Sequence, residues 1–335
     1  MSTISDVAKL AGVSAMTVSR VINNSGYISQ EARERVERAI AELGYVPNAL
    51  ARYLRFKQTK TIALILTDIT NPFFTTLARG VEDVARGQGF SVVLCNTDES
   101  EAEEIEYLNL LLQKQIDGVL LVPASGSSAS LGLLQARAVP VVVLDRRVVG
   151  GSVDTVRGDS EQGAYLLVQH LLELGHTRIA VLSGPINVST AADRVAGYSR
   201  AMRAAGFDAD HDLIYFGEFS LDSGYRLGQQ ILMLDPRPTA IFAANNLIAF
   251  GASRAIRAAG LRIPDDLSLV TIDDLPVSML IDPFLTAAAQ PAYEIGRRAT
   301  ELLLDRLANE GPAAPQELVL PIELIIRRSS GPPPA

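Results

Sequence analysis

An all-α head of three helices followed by an α/β body of two doubly wound lobes is the fold class predicted by the 335-residue sequence. Two observations predict it. Residues 1–45 carry three helical apolar periodicities and no strand-like run. From Thr61 onward, continuous apolar runs alternate with amphipathic stretches, and the runs fall into two series. Apolar runs without alternation are strands buried on both faces, hence parallel sheets. Two series of them imply two lobes.

The head reads element by element. Thr3 with Asp6 forms a capping-box variant that opens a first helix, whose apolar side is Val7, Ala8, Leu10 and Ala11. Gly12 supplies a turn, since glycine adopts a left-handed backbone without strain. Ser14 caps a second helix over roughly 15–22, with Val18, Val21 and Ile22 facing inward. Ser29 caps a third over roughly 30–43, where Ala32, Val36, Ala39, Ile40 and Leu43 recur at helical spacing. Pro47-Asn48 then interrupts the chain. Asn48 is a candidate cap for a short helix from Ala49 to Leu54, and the polar 55–60 stretch reads as a linker.

In the body, the first series of strands is Thr61–Thr67, Phe90–Cys95, Asp117–Val122 and Val139–Asp145. The second is Arg178–Ser183, Thr239–Ala243 and Ser268–Asp273. The tail from Gly331 to Ala335 is expected to be disordered because it is short and proline-rich.

Composition narrows the function classes. Hydrophobic residues make up 48% and charged residues 20%, as in ordinary globular proteins. No apolar run reaches the roughly 18 residues of a membrane helix, so no membrane role is expected. The N-terminus lacks a signal-peptide pattern. Cys95 is the single cysteine. It sits in the apolar Val92–Cys95 run and is expected to be a buried structural thiol in a reducing, cytoplasmic setting. The net charge of −8 is unevenly spread: residues 1–60 hold nine basic and five acidic residues, a net +4, so the remainder carries −12. A basic head on an acidic body suggests that the head meets a polyanion.

Ala8, Gly12 and Val18 have the spacing that a tight helix-turn-helix needs: a small residue for close approach, a turn glycine, and an apolar residue packing the second helix on the first. Such a second helix enters the major groove with its N-terminal side chains at base edges. Its candidates are Ala15, Met16, Thr17, Ser19 and Arg20. Arg20 can pair with guanine, and Ala15 and Met16 can meet a thymine methyl. Thr17, Ser19 and Asn23 suit phosphate or base hydrogen bonds. From this spacing alone, a helical bundle with no DNA role stays open.

The segment from Thr3 to Asn23, TISDVAKLAGVSAMTVSRVIN, and its continuation ELGYVPNALARYL from Glu42 to Leu54, resemble the signature of the lactose-repressor (LacI/GalR) family. The resemblance extends to about Ser329. It implies a DNA-binding head over 1–46, with Thr3, Ser14, Tyr45 and Asn48 added to the contact residues. It implies a hinge helix and linker over 47–60, in which Leu54 wedges between base pairs in the minor groove beside a second subunit. A helix of about seven residues is marginal alone. An inserted apolar wedge kinks DNA. For Leu54, simple interdomain packing is the alternative.

The same resemblance implies that 61–330 is a periplasmic-binding-protein-like effector domain that also dimerises. Its first lobe is about 61–160 with 291–320, and its second about 162–288. A small-molecule effector would lie between the lobes at strand ends. Asp68 and Arg146 are polar strand-end residues, and Phe73, Asp145, Arg194, Phe219, Asn245, Asp273 and Gln290 fall at family ligand-contact positions. Carboxylates, amide and guanidinium groups, and aromatic rings suit a sugar-like polyol, with a nucleobase as the second choice. Asp145 and Asp273 could instead be helix caps, Arg194 an ion-pair partner between lobes, Phe74 core, and Asp159 structural. Asn246 departs from the family's usual Asp, and Val277 from a frequently aromatic position.

The implied function is a transcriptional repressor, binding palindromic operator DNA as a homodimer under effector control. No metal, cofactor or catalytic group is expected. His170, His176 and His211 lack metal-ligand or nucleophile–base spacing, and no phosphate loop or dinucleotide fingerprint is present. A periplasmic-type solute carrier without a DNA role is the alternative that the basic head opposes.

Overall fold

A computed structural model describes residues 2–22, 25–45, 58–208, 210–275 and 283–334. The sequence assignments on Asn23, Asn48, Leu54 and Val277, and those on the helix from Ala49 to Leu54, lie outside the described residues. The chain divides into two compact units, Met1–Thr59 and Lys60–Ala335.

In the first unit, α1 (Ile4–Ala11), α2 (Ala15–Ile22) and α3 (Gln30–Leu43) share one small core. Thr3 caps α1 reciprocally with Asp6, and Gly12 ends it at φ +65°. Asp6 is held below the usual carboxylate range, mainly by its hydrogen bond from the Thr3 side chain. Ser14 Oγ accepts from Thr17 N at 3.1 Å, and Ser29 caps α3 through Ala32 N. These caps satisfy backbone donors that each helix start leaves without an intrahelical acceptor. Val7, Ala8, Ala11, Val18, Val21, Val36 and Ala39 are buried together. Ala8, Ala11 and Ala39 are small enough to let three short helices pack closely around so little apolar volume.

In the second unit, the first sheet contains β1 (Thr61–Leu66), β2 (Ser91–Asn96), β3 (Gly118–Leu121), β4 (Val141–Leu144), β5 (Asp154–Gly158) and β11 (Glu317–Leu320). Its order is β11-β5-β4-β3-β1-β2, all parallel. The second contains β6 (Ile179–Ser183), β7 (Ile214–Phe216), β8 (Ala240–Ala243), β9 (Ser268–Ile272), β10 (Thr286–Ala289) and β12 (Glu323–Ile325). Its order is β12-β10-β9-β8-β6-β7, with only β12 antiparallel among these pairs.

The continuous apolar runs are explained by cores on both faces of each sheet. Successive strand residues point to opposite faces. Ile62, Leu64 and Leu66 therefore join the core under α4 (Pro72–Gly87) and α11 (Ala292–Ala308), while Ala63 and Ile65 join the one under α5 (Glu101–Gln113) and α6 (Ala129–Gln135). In the second sheet Ile179 and Val181 face the α7 (Ser160–Glu173) and α8 (Ser189–Ala204) side. Ala180 and Leu182 face α9 (Leu221–Leu232) and α10 (Asn246–Ala258). Cys95 is buried in the α5 core.

The chain passes between lobes after β5, after β10 and after β11. Two of these passages touch. A Cβ on Gly158 would stand 3.1 Å from Gln290 Cδ and closer still to its Oε1, so only glycine admits the Gln290 side chain there.

One expectation is corrected. Gly331 is not part of a loose tail: its N–H donates to Ser268 Oγ (3.0 Å) and its carbonyl lies 2.8 Å from His176 Nε2. His176 is buried, with Nδ1 at 2.8 Å from Thr239 Oγ1. A buried imidazole needs partners for both nitrogens, and the chain end supplies one. Proline-rich composition gave no sign of that partner. Among the described residues no helix is long and apolar enough to cross a membrane.

Candidate functional site

In the head, α2 presents Ala15, Met16 and Arg20 to solvent, with Met16 65% exposed. Val18 and Val21, on the opposite side, are buried. Thr17 and Ser19 are half-buried. Thr3 and Ser14 are engaged as caps, and Tyr45 packs partly against the head core. The surface of α2 is therefore amphipathic in the sense that a groove-reading helix requires.

In the body, the strand ends of the two lobes face one another around a cavity of about 20 Å³. Asp68, Phe73, Asp145, Arg146, Arg194, Phe219, Asn245 and Asp273 all line it. Gln290 reaches the same cluster by donating from Nε2 to Asp273 Oδ1 at 2.8 Å. The nine candidates, scattered over more than 200 residues, are thus gathered in one place. The topology does this: both sheets reverse strand order beside their first strand, and their carboxyl ends open at such a switch point.

Asp145 and Asp273 hold equivalent places, one after β4 and one after β9. Neither caps a helix among the described residues. Both adopt left-handed backbone, φ +62° and +69°, a conformation uncommon outside glycine that concentrates at functional sites. Burial pushes Asp145 above the usual carboxylate range against the pull of Arg194 and Arg146. Burial likewise pushes Asp273 up to about 6, again opposed by Arg194.

Arg146, 3% exposed, forms a two-pronged pair with Glu99, each N–O distance 2.6 Å, and donates to Pro123 O at 2.9 Å. Arg194 donates to Ala244 O at 2.8 Å and lies 3.9 Å from Asp273 Oδ2. Its ion-pair partner is therefore in its own lobe. The Phe219 ring sits between the two guanidinium groups, 5.7 Å from each. Gly184 makes room for that ring, because a Cβ there would come within 2.6 Å of Phe219 Cε2.

Asp145 Oδ1, Arg146 Nε and Arg194 Nε have no hydrogen-bond partner among the described residues, although all are buried. So do Asn246 Oδ1 and Gln290 Oε1, on side chains bonded to the cavity residues Asn71 and Asp273. Buried polar atoms are normally satisfied. Donors and acceptors converging on one cavity beside Phe73 and Phe219 suit hydroxyl groups on an apolar ring, and the lobes must part for such a ring to enter, because about 20 Å³ admits little more than a water.

Other candidates have structural duties. Asn245 caps α10 through Ile248 N, Asp159 caps α7 through Gln162 N, and Phe74 is in the core while touching the cavity. Asn246 donates across the lobes to Asn71 Oδ1 at 3.1 Å. Asn71, which follows the first strand as Asp68 does, also lines the cavity, and sequence reasoning missed Glu99 and Thr190 there. Glu99 follows β2, so the strand-end rule that found Asp68 would have found it. Thr190 lies in the first turn of α8 and carried no comparable signal.

Two family models match the chain. One describes bacterial regulatory proteins of the lacI family and covers residues 3–48. The other describes periplasmic binding proteins and the sugar binding domain of the LacI family and covers residues 59–328. The ribose operon repressor of Escherichia coli (strain K12) is 37% identical over 331 residues, covering 98% of this chain and 100% of the relative. The HTH-type transcriptional repressor PurR of Vibrio atlanticus (strain LGP32) is 36% identical over 311 residues, covering 92% and 93%. A solved lac repressor dimer, bound to operator and the anti-inducer ONPF, superposes with a TM-score of 0.86 at 31% identity, covering 98% of this chain and 99% of that one.

Proposed function

The chain belongs to the LacI family of bacterial regulatory proteins, and from that premise we propose that it represses transcription as an operator-bound dimer whose DNA affinity is set by a sugar-like effector held between the lobes. It is a DNA-binding regulator with a small-molecule effector, and it acts in the cytoplasm, where operator DNA is reached. The convergence of unsatisfied buried polar atoms and aromatic faces on one interlobe cavity carries the effector half of the reading.

On this reading Ala15, Met16 and Arg20 read base edges, while Thr17, Ser19 and Asn23 bind base or phosphate, with Thr3, Ser14, Tyr45 and Asn48 beside them. Leu54 enters the minor groove between the paired subunits. In the cavity, Asp145 and Asp273 accept hydroxyl hydrogen bonds, Arg146, Arg194, Asn245 and Gln290 donate, Asp68 closes the mouth, and Phe73 and Phe219 cover the ring. An effector shifts DNA affinity only through its different affinity for the two lobe arrangements, typically about 1–3 kcal/mol. The Asn71–Asn246 bond spans the lobes, so an arrangement that parts them would lose it, and the bond would enter that difference.

Gel shift on DNA from the protein's own upstream region, with a panel of sugars, nucleosides and nucleobases, tests the proposal. A shifted complex whose affinity changes with one panel member is expected. Ligand binding without any DNA complex would favour a solute carrier and overturn it.

A further inference from the structure

The interlobe cavity adjoins a wider pocket of about 680 Å³ that shares Asp68, Glu99 and Phe219 with it and forms a mouth on that side. Asp68, Asp98, Glu99, Glu101 and Glu218 line that mouth, and none of its described lining residues is a lysine, arginine or histidine. Among described residues, the inner cavity adds Asp145 and Asp273 and two cations, Arg146 and Arg194. Cavity and mouth together thus hold seven carboxylates against two guanidinium groups.

Those two guanidinium groups are not poised for an anion. Both terminal nitrogens of Arg146 are engaged by Glu99, and one also by Pro123 O. Arg194 is engaged by Ala244 O, with Asp273 close by. Phosphate recognition by arginine normally uses two parallel N–H donors of one fork. Here the Nε–H of each buried side chain makes no hydrogen bond, and both forks face carboxylates, Arg146 Nε 3.9 Å from Asp145 Oδ2 and Arg194 Nη2 3.9 Å from Asp273 Oδ2. One N–H donor can serve a hydroxyl or a ring oxygen. Asp145 Oδ1, 95% buried on its residue and likewise unpaired, can only accept, so it asks for a hydroxyl or amine donor and repels an oxyanion.

Resting on the reading of this cavity as the effector site, we infer that the effector is an uncharged, hydroxyl-bearing ring and that the acidic mouth excludes phosphorylated and other anionic forms of it. A cleft walled by one sign of charge focuses its field at the opening. The mouth therefore acts on any charged extension of a ligand whose ring occupies the inner cavity. A regulator so built responds to the free sugar or nucleoside and ignores the phosphate ester that a kinase makes from it.

Calorimetric titration of the full chain with matched pairs tests this: D-ribose and D-ribose 5-phosphate, D-glucose and D-glucose 6-phosphate, adenosine and its 5′-monophosphate. A neutral member is expected to bind, with its ester at least about tenfold weaker, equivalent to about 1.4 kcal/mol. Raising salt from about 0.01 M to about 1 M shortens the Debye length from roughly 30 to 3 Å and should narrow that gap in the unaltered protein. The Asp98→Asn/Glu218→Gln pair should narrow it at least threefold at low salt. An ester that binds as tightly as its parent overturns the inference and leaves the effector site standing. A gap indifferent to both salt and the substitutions also overturns it, by removing the mouth as the cause. No binding by any member overturns the effector reading itself, and this inference with it.

Discussion

Gly184→Ala should move an aromatic ring without touching any polar group of the cavity. A methyl carbon at residue 184 would lie within 2.6 Å of Phe219 Cε2 and nearer still to two other ring atoms. Carbon atoms pack at about 3.5–4.0 Å, so the ring must retreat by about 1 Å or more. Phe219 is half-buried on the loop before α9, so the ring rather than the sheet gives way. It then leaves its place between Arg146 and Arg194, each 5.7 Å from its centre. Two such cation–aromatic contacts contribute roughly 0.5–1 kcal/mol each at partly exposed sites. Together with lost packing, the cost is about 1–3 kcal/mol. Melting should fall by a few degrees, at roughly 2–4 °C per kcal/mol for a large domain. Effector affinity should fall about tenfold or more because the ligand loses one aromatic cover. A double-mutant cycle isolates the cause. In a Phe219→Ala background the methyl has room, so adding Gly184→Ala should change stability and affinity by no more than about 0.5 kcal/mol. Equal costs in both backgrounds would refute the reasoning, because the methyl would then be acting on something other than the ring.

The remaining predictions test other links. Asp273 has its pKa raised to about 6, chiefly by burial. The folded state therefore binds a proton more readily than the unfolded state, and stability falls as pH rises from about 4 to about 6, the penalty being complete above that. Asp273→Asn should raise stability at pH 7 by up to about 3 kcal/mol, at about 1.4 kcal/mol per pH unit, flatten the pH 4–6 slope of thermal melts, and weaken effector binding. Unchanged melting at pH 7 would contradict this. Ser14→Ala removes the acceptor for Thr17 N and should cost α2 about 1 kcal/mol, seen as faster amide exchange in Ala15–Ile22 and unchanged exchange in the lobes. Leu54→Ala should weaken specific operator binding at least about tenfold, or about 1.4 kcal/mol, with effector affinity unaltered. Unchanged operator affinity in a fluorescence anisotropy titration would exclude the wedge.

The architecture was legible because its signals are local. Caps at Thr3, Ser14 and Ser29 fix helix starts through one side chain each, and runs such as Ile62–Leu66 and Ile179–Leu182 announce strands with two covered faces. Strands that lack that signature were not foreseen. β5 carries Asp154 and Arg157, β7 and β12 span three residues, and β11 alternates in exposure because it lies at a sheet edge. Their pairing depends on neighbours that only the tertiary fold supplies. The cavity was legible where residues follow the main strands, as Asp145 and Asp273 do. It was illegible where the deciding fact is a partner far along the chain. The Glu99–Arg146 pair, the Asn71–Asn246 bond and the room that Gly184 leaves for Phe219 are relations between segments. Periodicity within one segment carries no record of them. His176 and Gly331 make the same point, 155 residues apart.

The most direct test of an effector-controlled dimeric repressor is one titration. The full chain is added to a fluorescent palindromic operator, with binding followed by anisotropy and stoichiometry by sedimentation, in the absence and presence of the neutral sugar or nucleoside selected by calorimetry. Two chains per operator are expected, with an affinity that the effector shifts about 5- to 150-fold, the range of ordinary allosteric coupling. One chain per operator at full affinity, or an affinity that saturating effector leaves unchanged, would contradict it.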